Sequence, residues 1–170
     1  MSIKTFVTAD THWGHASICE FNSKHGAALR PWATPQEMDE AMVTLWNETV
    51  RPVDNVIHLG DVAKQKVHVA TMSRCHGRKI LVKGNHDIFD LGTYLPHFAD
   101  IAGVHTVKSD GMKFLLTHIP VHERGKDRYD GNIHGHLHSQ TMGDPWFQCV
   151  SVEQTGFRPI LLDEVISRYK

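Results

Sequence analysis

The chain has 170 residues, in which 18 Lys and Arg are balanced by 19 Asp and Glu and accompanied by 14 histidines. Near-neutral charge without a Lys/Arg run disfavours tight, salt-dependent gripping of extended nucleic acid, and no apolar stretch approaches membrane length. The length suits one domain, residues 1–170, long enough to bury roughly 70% of its unfolded surface without disulfides. Cys19, Cys75 and Cys149 are far apart and show no C-x-x-C spacing, which points to a reducing compartment, the cytoplasm. The apolar run 3–9 is interrupted by Lys4 and stops at Asp10, so it does not read as a signal peptide.

In chain order, residues 3–9 read as a first strand, followed by a short helix over 16–21. Thr34-Pro35-Gln36-Glu37 reads as a helix start, with Thr34 as N-cap, Pro35 at the first position and Glu37 completing a capping box. That helix is expected to run to about Val50, with Met38, Ala41, Met42, Leu45 and Trp46 on its buried face. A second strand at 53–59, a helix at 67–75, a third strand at 79–82 and a helical turn at 90–98 continue the alternation. The pattern then changes to strands joined by turns: 101–108, a hairpin turn at Ser109-Asp110-Gly111, then 113–117, 132–134 and 149–153. A last helix is expected over 163–169, and no repeat, low-complexity segment or linker interrupts the chain.

Metal-binding side chains sit at or just past the strand ends, in Asp10-Thr11-His12, Gly60-Asp61, Gly84-Asn85-His86-Asp87, Thr117-His118 and Gly135-His136-Leu137-His138. Side chains at successive strand ends meet at one edge of a sheet, where clefts in open α/β folds lie. Singly, each fragment has an ordinary reading. Asp10 and Asp61 can cap helices, Gly84-Asn85 can form a tight turn, and His118 can be a partly buried histidine, whereas His136 and His138 share one face of a strand. Jointly, two carboxylates, one amide and four imidazoles exceed the four ligands of a structural zinc, which here would expect thiolates. They suit a two-metal centre in which one carboxylate bridges both ions.

In this order the fragments resemble the signature of the calcineurin-like metallophosphoesterases: D-x-H, G-D, G-N-H-D/E, a lone H and G-H-x-H. The resemblance spans most of the chain. It implies an α/β fold of two facing mixed β-sheets flanked by helices, with the metals at the edge between them. By position, one ion would be held by Asp10, His12, Asp61 and His138 and the other by Asp61, Asn85, His118 and His136, with Asp61 bridging. The implied enzyme is a metal-dependent phosphoric ester hydrolase, cleaving a phosphodiester or phosphomonoester by in-line attack of a metal-bridging hydroxide. His86 stands at the general-acid position, with Asp87 as a partner orienting its ring. Imidazole, carboxylate and amide ligands favour Mn²⁺, taken first, or Fe, Co²⁺, Ni²⁺ or Zn²⁺, over Mg²⁺.

In the protein-phosphatase and dinucleoside-polyphosphate branches the second fragment reads G-D-x-x-D-R-G and the third usually G-N-H-E. Here Gly60-Asp61-Val62-Ala63-Lys64-Gln65 lacks the Asp-Arg pair and the third fragment ends in Asp87, which points to the small phosphodiesterase-like members. The loops 22–34 and 120–131 are left to set specificity, and their Arg30, Arg124 and Arg128 are candidates for holding a phosphate bidentately. Of the other histidines, His15 and His122 are expected to reach the cleft; His25, His58, His68, His76, His97, His105 and His134 are expected on the surface or in packing. The expected partner is a small phosphorylated substrate, a nucleotide among the candidates. The competing readings are a metal-dependent nuclease acting on DNA or RNA and a non-catalytic binding module on the same fold.

Overall fold

The computed structural model describes residues 2–23 and 26–169; His25 lies outside them. The first half supplies β1 (Thr5–Thr8), α1 (Pro35–Thr49), β2 (Asn55–His58), β3 (Arg78–Val82), the single-turn α2 (Leu91–Tyr94) and β4 (Asp100–Ala102). The second half supplies β5 (His105–Ser109), β6 (Met112–Thr117), β7 (Gly131–His134), β8 (Phe147–Cys149), β9 (Ile160–Leu161) and α3 (Leu162–Ser167). Among the described residues these strands form two mixed sheets. One has the order β4-β3-β2-β1-β9, parallel except for β9; the other has the order β5-β6-β7-β8.

Side-chain alternation assigns the two faces of the first sheet to different cores. Phe6, Val56 and Leu81 pack with Met38, Met42, Val43 and Trp46 of α1, while their neighbours Val7, Ile57 and Val82 pack with Phe114, Leu116 and Ile133 of the second sheet. A strand buried on both faces must be apolar almost throughout, which is why β1 to β3 read as short continuous apolar runs. At the start of α1, the Thr34 hydroxyl accepts from the Glu37 amide at 3.2 Å, as expected. The Glu37 carboxylate reaches one residue further back than a capping box requires, to the Ala33 amide at 3.2 Å.

Several elements differ from the sequence expectation. The expected strand 101–108 is two strands in different sheets, β4 paired with β3 and β5 with β6, because the chain leaves the first sheet at Gly103. The second half is less hairpin-rich than its turn residues suggest. Among the described residues only β5 and β6 form a hairpin, through Asp110 (φ 50°) and Gly111 (φ 80°), the left-handed pair such two-residue turns require; β6, β7 and β8 are parallel. The expected strand 149–153 stops at Cys149, and a 3₁₀ turn over Val152–Gln154 redirects Glu153. The segments Ala16–Cys19 and Lys66–Arg74 are 3₁₀ rather than α-helical, the latter carrying the β-branched Val67, Val69 and Thr71. The short β9 escaped the sequence reading, since two residues behind Pro159 carry no periodicity.

Because β1, β2 and β3 run parallel, and β6 and β7 do likewise, the segments leaving their C-terminal ends carry Asp10, Asp61, Asn85, His118 and His136 toward one edge. The two sheets are joined there by the Ala9–Ser151 bridge and by the Val152 amide donating to Ala9 O at 3.1 Å. Among the described residues, no helix is long and apolar enough to cross a membrane.

Candidate metal centre

The loops that leave the strands are forced into an unusual backbone. Asp10 (φ 60°), His12 (φ 49°), Asp61 (φ 56°), His136 (φ 68°) and His138 (φ 52°) all occupy the left-handed region. A non-glycine residue pays roughly 1–2 kcal/mol to stand there, and such strain persists only where the surroundings over-determine it. Here the surroundings are other loops. The Asp10 amide donates to Gly60 O at 2.9 Å, His12 to Asp61 O at 3.1 Å and Trp13 to Val62 O at 2.9 Å, so the first two loops track one another like paired strands. The Asp87 carboxylate fastens the third loop to the second, accepting from the amides of Asp61 and Gly84 at 2.8 Å and of Val62 at 3.0 Å. The packing leaves no room for side chains on the glycines between: a Cβ on Gly84 would stand 2.2 Å from Asp61 Oδ1, and one on Gly60 2.4 Å from the Gly84 amide.

Two groups of side chains that can hold an ion result, Asp10 with His12 and His138, and Asp61 with His118 and His136. In the second, His118 Nε2 lies 2.9 Å from Asn85 Oδ1, 3.2 Å from His136 Nδ1 and 3.4 Å from Asp61 Oδ2. Atoms about 2.1 Å from a shared ion stand roughly 3.0–3.4 Å apart, and these distances match the edges of such a coordination polyhedron. Asp61 Oδ2 also lies 3.6 Å from His12 Nε2, placing one oxygen between the two groups, while Asp61 Oδ1 is occupied by the His86 amide at 2.8 Å.

Hydrogen bonds aim the ligand atoms. His118 Nδ1 is 2.7 Å from Leu59 O, an acceptor, so Nδ1 carries the proton and a neutral ring turns a lone pair toward Asn85 and Asp61. Two acceptors facing a lone pair are an arrangement that a proton on that ring or a cation would satisfy. Burial opposes charge on His118, yet Asp61 and Asp10 prevail and raise its pKa. Asp10 shows the same shortage of positive charge: burial raises its pKa to about 6, with His138, His118 and Ser151 offsetting only part. Its Oδ2 accepts from Ser151 Oγ at 2.7 Å and from the His136 amide at 2.9 Å, whereas the buried Oδ1 has no partner among the described residues. Burial lowers the pKa of His12 far below its ordinary value, which keeps the ring neutral. An orphaned carboxylate oxygen, a His12 ring kept neutral and an all-nitrogen-and-oxygen donor set fit divalent metal ions.

Most of the residues singled out in the sequence are at this centre, but their roles are redistributed. Arg30 is not free for substrate: it is 1% exposed, and its guanidinium donates to Asp10 O and to Thr11 O at 2.8 Å and pairs with Glu153 at 2.9 Å. Asp87 does not orient the His86 ring, because both of its oxygens hold loop amides; Lys64 Nζ stands 3.4 Å from His86 Nδ1 instead. His15 reaches the cleft, its ring 5.4 Å from that of His12. His122 does not join the centre but caps a 3₁₀ turn over Glu123–Asp127, accepting from the Arg124 amide. Arg124 and Arg128 are exposed there, with no ion pair or hydrogen bond to the centre among the described residues.

Three supporting residues went unread. Glu153 holds His138 Nδ1 at 3.0 Å, Ser151 holds Asp10, and the buried His58 accepts from the Gly60 amide at 3.1 Å while its Nε2 lies 3.0 Å from Thr11 Oγ1. For Glu153 a signal existed, an acid closing the otherwise uncharged run 149–152. Burial lowers the pKa of His58 to about 3, so it serves as a neutral bridge between the first two loops.

No protein-family model matches the chain. It is 29% identical over 175 residues to the uncharacterized protein MJ1445 of Methanocaldococcus jannaschii, covering 96% of this chain and 89% of that protein. Among solved structures it resembles a protein of unknown function, AQ665, from Aquifex aeolicus, with a TM-score of 0.78 and 24% identity over 98% of this chain and 99% of the other. It also resembles a structure described as a novel archaeal phosphodiesterase, with a TM-score of 0.52 and 18% identity over 88% and 82% of the two chains. The fold is therefore one that an archaeal phosphodiesterase shares, a metallophosphoesterase-like arrangement of two mixed sheets and helices.

Arg30 makes the clearest structural test. Arg30→Met leaves Glu153 buried beside His138 without its guanidinium and strips partners from two buried carbonyls. Chemical denaturation is expected to register a loss on the order of 3–5 kcal/mol. Unchanged stability with a raised KM would return Arg30 to a substrate-binding role.

Proposed function

We propose that this protein is a dinuclear metal-dependent phosphoesterase that favours phosphodiesters. The observation that carries this reading is Asp61 Oδ2 standing between His12 and His118, at 3.6 and 3.4 Å, with a separate group of ligand atoms on either side. Asp10, His12, Asp61 and His138 would hold one ion and Asp61, Asn85, His118 and His136 the other. Mn²⁺ is the first choice, with Fe, Co²⁺, Ni²⁺ or Zn²⁺ also compatible with the donors. Bound there, two divalent ions acidify water and neutralise charge on phosphoryl oxygens.

The remaining work falls to side chains. Lys64 Nζ stands 3.4 Å from His86 Nδ1, so the Nε2 side of the ring is the side free to meet a substrate. His86, half-buried with its ring 5.7 Å from that of His12, is the residue we assign to protonating the leaving oxygen. Preference for a diester is supported by the surroundings of the centre. A cavity of about 470 Å³ opens beside His136 and His138, and another of about 340 Å³ beside Asn85 and His118, giving each organic substituent of a diester a place. No Asp-Arg pair follows Asp61 and Arg30 is engaged elsewhere, so among the described residues no guanidinium is left to grip a monoester dianion bidentately; Lys64 and Lys83 are the cations beside the centre.

A small phosphorylated substrate, a nucleotide in particular, suits a site of this size better than extended nucleic acid does, given the net charge of −1. The free Cys19, Cys75 and Cys149 suit a reducing cytoplasm; burial pushes the Cys75 thiol up to about 12, which makes it inert. A binding module on the same fold would have no use for a complete ligand set with its loop strain.

The metal assignment is tested by elemental analysis of purified variants. Asp61→Ala is expected to lose both ions and all turnover, whereas Asn85→Ala empties mainly one site. Chelation abolishes activity and Mn²⁺ restores it. Full activity in metal-free Asp61→Ala protein would sink the proposal.

His86→Ala is expected to keep both ions yet lose turnover by roughly 10²–10⁴-fold, the usual contribution of a positioned proton donor. The loss should be steep for an alkyl diester and small for p-nitrophenyl leaving groups, which depart nearly unaided. Equal losses across leaving groups would reassign His86 to phosphate positioning. On the wild type, bis(p-nitrophenyl) phosphate should be turned over at least as well as p-nitrophenyl phosphate; a large monoester preference contradicts the diester assignment.

A further inference from the structure

Beside the metal centre the chain builds a cavity with a mixed lining that the phosphoryl chemistry does not explain. His136 and His138 border it on the side of the centre, Phe21, Leu29 and Leu137 supply apolar surface, and Asn22 and Gln140 bring amides. Its volume of about 470 Å³ lies in the range of small-ligand sites. Phe21 is 49% exposed, so its ring offers part of its surface to the cavity. Its position is fixed: Phe21 O accepts from the Leu29 amide at 2.7 Å, Asn22 bridges to Ala28, and the ring meets that of His15 at 89° with centroids 6.1 Å apart. The side-chain amides of Asn22 and Gln140 have no hydrogen-bond partner among the described residues.

We infer that this cavity receives the nucleobase of a nucleoside phosphodiester, with Phe21 as its stacking platform and the amides of Asn22 and Gln140 reading its edge. The inference rests on the phosphoesterase reading and names the substrate class for the same site. An acyl chain would leave both amides facing methylene groups, and a bare sugar would leave Phe21, Leu29 and Leu137 wet. A planar heterocycle with donors and acceptors at its rim suits both linings. Phe21, His15 and His12 form a row of ring contacts from the cavity to the centre, so an occupant of the cavity adjoins the phosphoryl position.

Two measurements on the Mn²⁺-loaded protein test this independently of each other. By calorimetry, adenosine 5′-monophosphate should bind at least about 5-fold more tightly than ribose 5-phosphate, the lower end of what stacking one base on an aromatic ring contributes. Phe21→Ala should abolish the difference and Phe21→Tyr should retain it. By kinetics, thymidine 5′-(p-nitrophenyl phosphate) should exceed methyl p-nitrophenyl phosphate in kcat/KM, the leaving group and phosphate charge being identical, and Phe21→Ala should remove that advantage while leaving the methyl ester unaffected. Equal binding of the two monophosphates, or a preference that survives Phe21→Ala, overturns the nucleobase assignment even if both esters are hydrolysed. Phe21-dependent binding of adenosine 5′-monophosphate with no turnover of either ester supports the cavity assignment and refutes the phosphoesterase reading.

Discussion

Two carboxylates, Asp10 and Asp61, are buried where the loops of the two sheets cross, and among the described residues no lysine or arginine side chain pairs with either. Burying charge without compensation is costly, and much of the molecule's local architecture answers that cost. Ser151 and the His136 amide hold Asp10, the His86 amide holds Asp61, and imidazoles surround both. The guanidinium of Arg30, which could neutralise Asp10 directly, instead binds the main-chain oxygens of Asp10 and Thr11 and pairs with Glu153. The positive charge this region attracts is thus left to protons on its imidazoles or to an ion bound among them. That is the arrangement a cation site needs and a merely structural cluster would avoid.

The same constraint explains the backbone. To aim five side chains inward from strand ends, Asp10, His12, Asp61, His136 and His138 adopt left-handed angles that ordinary loops give to glycine. The glycines that do occur there, Gly60 and Gly84, serve a second purpose: they let the loops approach until Asp61 Oδ1 nearly touches the position of a Cβ. Strain and close approach are held by hydrogen bonds that loop amides donate to neutral or anionic side chains, His58 and Asp87 above all. A local defect in either should spread to the ligands, because each loop is the support of the next.

The candidate centre was more legible in the sequence than the fold around it. The candidate ligand side chains sit in short fragments where residue type and order are both informative, so Asp10, His12, Asp61, Asn85, His118, His136 and His138 could all be named, and the structure brings them together. The supports were harder to read. Arg30, in a loop near a phosphate-type site, reads as a ligand-binding arginine, and only its burial against main-chain oxygens reveals otherwise. Glu153 lies far along the chain from Arg30 and finds it only through tertiary structure. In the fold, α1 was legible from its cap and apolar stripe, whereas the break between β4 and β5 was not, because residues on either side of Gly103 keep the same extended conformation while changing sheets.

The function proposed for this arrangement depends on Asp61 joining two ions, so the most direct measurement is a crystal structure of the protein soaked in Mn²⁺ with anomalous data collected near the metal edge. The expected map has two peaks roughly 3.5–4 Å apart, one on each side of Asp61 Oδ2, the first among Asp10, His12 and His138 and the second among Asn85, His118 and His136. A single peak, or peaks that leave Asp61 uncoordinated, would contradict it.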